Sequence, residues 1–329
     1  MTIQFSIHGS ARTSAGAVQR ALSAEELGFE TLFFADSHFN SLDPFQVMAV
    51  CATKTSRLRL GTSVTNMVYR DPTVLAGSAA SLNEISAGRA ILGLGTGDGP
   101  VYGLGRKATP LTRFEAGLRT IRELLQGRSI EVSTGKIALR IGRFPVPVYI
   151  SAEGPRGLQL AGRVTDGVIL GTGFDLRVLQ WAREQIARGA AEAGRDPAGI
   201  EIMAAGMICV DDDGEKARKI VRRRMANRAH HNFRFTMTTV PPEEIAGVQR
   251  FMNAFDITRP LEERVDPDLI TDYLLQRFSI AGTPQECISR VRELEAAGVR
   301  RLMVTPPDTI YNQVMEAWAK QVMVHFPKT

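Results

Sequence analysis

Short β-rich runs alternate with longer stretches of helical periodicity along this chain, and that alternation constrains its fold more than any other feature. Such alternation is expected of parallel strands joined by crossover helices. The strand-like runs cover residues 4–7, 31–35, 58–64, 89–94, 146–151, 167–170, 200–208 and 301–304. Helical patterns occupy 14–27, 44–55, 73–84, 111–126, 154–163, 175–193, 213–231 and 283–297, with a terminal extra at 308–323. Eight βα units predict an α/β chain folded as a (β/α)8 TIM barrel, with insertions at the C-terminal face of the strands; an open doubly wound sheet is the alternative. Punctuation agrees with the count. Thr283-Pro284 with Glu286 opens a helix, and Gly28 and Gly298 stand where helices end.

A length of 329 residues suits one barrel domain over 1–329 with insertions. Residues 129–145 read as a β-hairpin turning at Thr134-Gly135, and residues 96–110 are rich in Gly and Pro. The segment 232–280 is too long for a structureless connection and is expected to be helical or functional, an insertion shaping the substrate cavity. A hydrophobic share of 44% with 23% charged residues excludes general disorder. No apolar run approaches the ~20 residues of a membrane span, and the N-terminus lacks a signal-peptide pattern, so neither membrane insertion nor secretion is expected. Cys51, Cys209 and Cys287 form no CxxC pair, which predicts reduced thiols, a cytoplasmic location and no metal site. The net charge of +5 weakly favours an anionic ligand. Residues 215–228 hold seven Lys or Arg without interleaved aromatics, so they read as a solvated face rather than a nucleic-acid surface. Attraction of a polyanionic cofactor tail is the second reading of that run.

Barrel active sites form where the strands end, so the residues there are the candidates. They are His8; Asp36, Ser37 and His38; Ser63, Thr65 and Asn66; Gly95, Thr96, Gly97 and Asp98; Ala152, Glu153 and Gly154; and Gly171, Thr172 and Gly173. An imidazole at His38 could donate a hydrogen bond or act as acid or base, or it is a supporting or surface group. His230 and His231, beside the basic run, read as structural or exposed. The segment GLGTGDG (93–99) satisfies neither G-x-G-x-x-G nor the P-loop pattern. Its glycines instead suit a sharp turn beside a bulky planar ligand such as a flavin-like ring. Gly154, Pro155 and Arg156 open a helix whose first N–H groups form either a phosphate site or an ordinary βα turn. The Gly171-Thr172-Gly173 turn offers further backbone N–H groups on the same edge.

The segments AEELGFETLFFADSHF (24–39), RLRLGTSVTNMVYRDPTVLAGSAASLNEISAGRAILGLGTGD (57–98), PVYISAEGPRGLQLAGRVTDGVIL (147–170) and AGTPQECISRVRELEAAGVRRLMV (281–304) together resemble the bacterial luciferase-like superfamily. Within it the likeness is to the methylenetetrahydromethanopterin reductase branch of coenzyme F420-dependent oxidoreductases. The resemblance implies a barrel that holds F420 or FMN at the strand ends and passes a hydride between that ring and an organic substrate. It implies a bulge after the third strand with a non-prolyl cis peptide, here Ser63-Val64. It places Asp36 and His38 beside the ring, Thr65 and Asn66 near it, and Asp98 where related reductases carry an acid. Gly154, Arg156 and Gly171 to Gly173 fall where the phosphate or ribityl chain is held, and Gly95, Gly97 and Glu153 complete the cofactor-binding candidates. Two departures stand out: Ser37 precedes His38 where the family often has Asp, and Arg70-Asp71-Pro72 replaces Arg-His-Pro.

The expectation is an F420-dependent oxidoreductase, homodimeric as the resemblance implies, in which His38 and Asp98 polarise or protonate the substrate. The positive net charge is compatible with F420's phosphate and acidic oligoglutamyl tail. One alternative is an FMN-dependent monooxygenase of the same fold, fed reduced flavin by a separate reductase. The other is a non-catalytic flavin-binding barrel, against which the presence of both His38 and Asp98 argues. Loop chemistry, not the scaffold, selects the substrate.

Overall fold

Eight parallel strands close into a ring, each built from one of the runs expected to be a strand. The fold, taken from a computed structural model, is described for residues 2–142, 144–259 and 263–327. Arg143 of the 129–145 segment, residues 260–262 of the 232–280 segment, and residues 1, 328 and 329 lie outside the described residues. The first units are β1 (Gln4–Gly9), α1 (Ser14–Glu26), β2 (Thr31–Phe34), α2 (Pro44–Ala52), β3 (Arg59–Thr62), the short β4 (Thr65–Asn66), α3 (Pro72–Ile85) and β5 (Ala90–Gly95). A one-turn α4 (Gly99–Gly103) and α5 (Leu111–Leu125) lead to a hairpin of β6 (Ile130–Val132) and β7 (Gly135–Ile137), paired as the turn at Thr134-Gly135 requires. Next come β8 (Val148–Ala152), α6 (Pro155–Val164), β9 (Gly167–Leu170), α7 (Leu176–Glu192) and β10 (Glu201–Val210). The last third holds α8 (Gly214–Arg222), α9 (Ala226–Thr236), α10 (Ile245–Ala254), α11 (Asp272–Phe278), β11 (Ser279–Gly282), α12 (Pro284–Ala296), β12 (Arg301–Thr305) and α13 (Tyr311–Gln321). The ring runs β1, β2, β3, β5, β8, β9, β10, β12 and back to β1, which makes the chain a (β/α)8 TIM barrel and excludes the doubly wound sheet.

Alternation along the strands divides the core in two. Phe33, Ile91, Tyr149, Ile169, Met203, Ala205 and Met303 point inward and fill the barrel, while neighbours such as Leu32 and Phe34 point outward against the helices. The strands' N-terminal end is plugged by polar groups. There Tyr149 donates to Glu201, Arg301 pairs with Glu30 and Glu201, and Arg59 lies 3.8 Å from Glu30. The opposite, C-terminal end is left to the functional groups.

Two features differ from the sequence reading, the break in the helix expected over 213–231 and the extra strand β11, while the helical content of 232–280 agrees with it. The helix expected over 213–231 is two helices, α8 and α9, separated by a turn at residues 223–225 that keeps Met225 and Ala226 buried. The segment 232–280 is largely helical, with the second half of α9, α10 and α11 in it. β11, four residues without a periodic signal, pairs with the C-terminal half of β10 beyond the barrel ring. The replaced Arg-His-Pro also has a structural cause: Asp71 caps α3, its Oδ1 accepting from Thr73 N at 2.8 Å, with Pro72 at the first helical position.

Candidate active site

The site's floor is a bulge between β3 and β5. Gly61 faces Ile91 and Thr65 faces Leu94, so four steps on one chain match three on the other. The extra residue falls at Ser63-Val64, whose peptide bond is cis, as the resemblance implied. Thr62 then lies against Gly93: its hydroxyl donates to Gly93 O at 2.7 Å and accepts from Gly93 N at 2.9 Å. A Cβ on residue 93 would lie 1.9 Å from Thr62 O, and one on residue 95 would lie 2.8 Å from Val64 Cγ2. The glycines of β5 are thus first a packing requirement of the bulge. Val64, partly buried, packs against the apolar barrel interior.

His8, at the end of β1, is fixed to this bulge. Its Nε2 lies 3.2 Å from Ser63 O, and because a carbonyl only accepts, Nε2 is the protonated nitrogen. Burial first, then the charge of Arg228, lowers its pKa to about 4. At neutral pH the ring is therefore uncharged and Nδ1 carries a lone pair. Tyr311 locks the backbone beside it, donating to His8 O at 3.0 Å. The sequence reading placed His8 at a strand end without giving it a role; its apolar neighbours in β1 gave no further signal.

Asp36 is the anchor of the β2 end. Its Oδ2 accepts from Thr65 Oγ1 at 2.7 Å and from Arg70 Nε at 3.0 Å, and Arg70 reaches on to Asp43 Oδ2 at 2.7 Å. Asn66 Oδ1 accepts from Val68 N at 3.0 Å. Asp36, Thr65, Asn66 and Arg70 therefore form one patch beside the bulge. His38 is exposed at its rim, its ring 4.9 Å from that of Tyr69 and 4.2 Å from that of Phe39.

Across the mouth, Asp98 and Glu153 are brought together by a residue the sequence reading took for structural or exposed. His231, on α9, has Nδ1 3.7 Å from Asp98 Oδ1 and Nε2 3.5 Å from Glu153 Oε2. Glu153 is buried, and its other oxygen takes Arg228 Nη1 at 3.1 Å. Gly171 allows this pair in, since a Cβ there would lie 2.2 Å from Glu153 Oε1. The basic composition around His231 masked it: periodicity cannot tell which helical residue faces a strand end 75 or more positions away. His230 is structural as read, stacked on Phe255 at 4.1 Å.

The remaining candidates lie on the β8 and β9 edge. Gly154 caps α6 without a side-chain bond, followed by Pro155 and an exposed Arg156 in the first turn. Gly97 has a positive φ of 115° beside Val101, which lets the chain turn into α4. Thr172 is buried, and its hydroxyl has no hydrogen-bond partner among the described residues. Gly173 turns at φ 83° with Arg277 O where a Cβ would stand, and Phe174 N donates to that oxygen at 2.6 Å, so part of this turn serves the insertion. Arg277 itself is 1% exposed; it donates to Thr172 O, Asn232 Oδ1, Thr236 Oγ1 and Tyr273 OH, between the rings of Phe233 and Phe278. In the basic run, Lys216 pairs with Asp211, Arg218 with Glu215 and Glu286, and Arg222 with Asp272, the pattern of a solvated face.

A model of the luciferase-like monooxygenase family matches residues 2–301. Over 300 residues the chain is 33% identical to 5,10-methylenetetrahydromethanopterin reductase of Methanolobus tindarius, covering 86% of this chain and 88% of that one. It is 32% identical over 276 residues to a phthiodiolone/phenolphthiodiolone dimycocerosates ketoreductase of Mycobacterium tuberculosis, covering 76% and 70%. The solved structure of the coenzyme F420-dependent tetrahydromethanopterin reductase of Methanopyrus kandleri superposes with a TM-score of 0.77 at 25% identity, over 99% of this chain and all of that one.

Proposed function

The chain belongs to the luciferase-like monooxygenase family, and from that premise we propose that it is an oxidoreductase passing a hydride between coenzyme F420 and a small organic substrate. The observation that carries the reading is the glycine-backed bulge at Ser63-Val64, held from below by a neutral His8 and flanked by a patch of polar anchors. These residues fit a planar, polar-edged ring with an anionic tail. Val64 would support one face, Gly95 and Gly97 would border it, and Ser63 would meet its polar edge, backed by the buried Thr65, Asn66 and Asp36. Gly154 and Arg156 at the start of α6, with Gly171, Thr172 and Gly173, would hold the phosphate end. The Thr172 hydroxyl is one of two buried groups on this edge, with Glu153 Oε2, that have no hydrogen-bond partner among the described residues. When bound, F420 supplies a ring carbon that gives or takes a hydride.

The protein's own task is to bind, orient and handle the accompanying proton. His38 and Asp98 serve the substrate side, and His8 offers its Nδ1 lone pair from the floor. Two relatives of similar identity are named as reductases of different compounds, a methylene-pterin and a ketone, so the substrate is defined only as a molecule with a reducible carbon centre. The segment 232–280 of a single domain over 1–329 shapes its cavity, since its Asn232 and Arg277 reach the backbone of the turn after β9.

A cytoplasmic location suits the three buried free thiols. Among the described residues no helix is long and apolar enough to cross a membrane. We propose a homodimer, for whose contact the exposed Phe39 and Val74, 62% and 56% accessible, are candidates. Sedimentation equilibrium checks it, and a monomer at micromolar concentration overturns it.

Parallel titration of the purified protein with oxidised F420 and with FMN tests the function. Tight F420 binding with oxygen-independent oxidation of F420H2 is expected. Preference for FMN with oxygen consumption would move the protein to the reductase-fed monooxygenases, and cofactor binding without turnover would make it a non-catalytic flavin-binding barrel.

A further inference from the structure

We propose that His231 carries protons between water and the buried Glu153, with Asp98 as the point of entry; the role in turnover rests on the hydride-transfer reading above. Three observations converge. Asp98 is solvated, its side chain 63% exposed, and it caps α4 without using its carboxylate. Glu153 is at the other extreme, 7% exposed, with Oε2 lacking any hydrogen-bond partner among the described residues. Between them stands an imidazole with one nitrogen toward each, at 3.7 and 3.5 Å, a few tenths of an ångström from hydrogen-bonding range. Anchoring Glu153 needs no histidine, because Arg228 already holds its other oxygen.

An imidazole can take a proton at one nitrogen and release another from the second. Here a proton on Asp98 passes to Nδ1 and the Nε2 proton passes to the Glu153 carboxylate; the ring, left with its proton on Nδ1, resets by giving that proton to water and taking one from water at Nε2, while Glu153 keeps the proton it received. Asp98 is reprotonated from water. The net change is one proton moved from solvent to Glu153, matching the one proton that accompanies each hydride delivered to an organic acceptor. The groups that face or border His231 are Asp98 after β5, Glu153 after β8, and Arg228, His230, Arg234 and the ring of Phe235 on α9 itself.

The test has two arms. In the cofactor-free protein, the ring-nitrogen NMR resonances of His231, assigned by their loss in His231→Gln, should move in both Asp98→Asn and Glu153→Gln but not in the surface control Glu293→Gln. In turnover, His231→Gln should bind F420 as the wild type does yet lose activity on the order of 10²-fold, and His231→Ala should regain part of its rate with added imidazole. Resonances indifferent to either carboxylate variant overturn the proposal, as does full activity in His231→Gln or a loss that imidazole leaves untouched. If the wild type shows no F420-linked turnover, the function reading falls, and the NMR arm alone decides whether His231 bridges the two carboxylates.

Discussion

His8 Nε2 stands 3.2 Å from the carbonyl of Ser63, so the end of β1 holds the bulge that forms the floor of the site. The contact needs only a proton on Nε2, which either form of the ring carries; it is burial and the nearby Arg228 that require the ring to be neutral.

That requirement sets a pH dependence. The folded-state pKa of His8, about 4, lies below its ordinary value of 6.5, so the unfolded chain binds more protons between those limits. The His8 contribution is complete above pH 6.5 and is lost as pH falls toward 4, by up to about 3 kcal/mol at 1.36 kcal/mol per pH unit. His8→Asn should flatten urea-unfolding free energies across that window. An unchanged slope in the variant would contradict the assignment.

Gly93→Ala should be among the most damaging single-methyl changes in the chain. The new Cβ would meet a backbone carbonyl at 1.9 Å, and a carbonyl inside the sheet cannot step aside as a side chain can. A loss of about 3 kcal/mol or more is expected, at the upper end of overpacking, together with loss of F420 binding. Gly95→Ala, which meets only the side chain of Val64, should cost less. Thermal melts of the two variants decide the order.

Arg70→Met removes the partner of two carboxylates. Asp36, whose side chain is 1% exposed, keeps Thr65 as its side-chain donor, and a broken buried pair costs about 3 kcal/mol. Burial opposes ionisation of Asp43, but the Arg70 hydrogen bond and the first N–H groups of α2 outweigh it and hold its pKa below 3.8. Stability from Asp43 is therefore present above pH 3.8 and lost as pH falls through the depressed folded value. The variant should unfold at a higher pH on acid titration, read by circular dichroism.

Arg277→Met should loosen the insertion before it unfolds the barrel. The change removes the buried donor to Thr172 O, Asn232 Oδ1 and Thr236 Oγ1; Asn232 and Thr236 keep their own 2.7 Å bond, so Thr172 O is the acceptor left dry, at about 1–3 kcal/mol. Limited proteolysis should then cut within 232–280 at protease concentrations that leave the wild type intact. Equal resistance would show that the insertion is held by its apolar contacts alone.

Much of the architecture was legible in the chain. The eight strand runs, the hairpin at Thr134-Gly135, the caps around Thr283 and the candidates at the strand ends all follow from local periodicity and turn chemistry. The bulge at Ser63-Val64 came through the resemblance, and the structure supplies its cause in the close approach of Thr62 to Gly93. Sequence could not separate α8 from α9, because the same basic, helical pattern runs through both.

What the sequence determined by itself is the barrel, since hydrophobic alternation in strands and helices is a local property repeated eight times. It also determined that polar groups gather where the strands end. Only the tertiary structure decided which of those groups act together. Asp98, Glu153 and His231 lie far apart along the chain and meet because barrel closure and the docking of α9 bring the ends of β5 and β8 and the first half of α9 to one rim. The neutral state of His8 was likewise set by its enclosure and by Arg228, 220 positions away. A residue's type and spacing announce its chemistry, but burial and neighbours fix its charge and partner, and those arise only when distant segments pack.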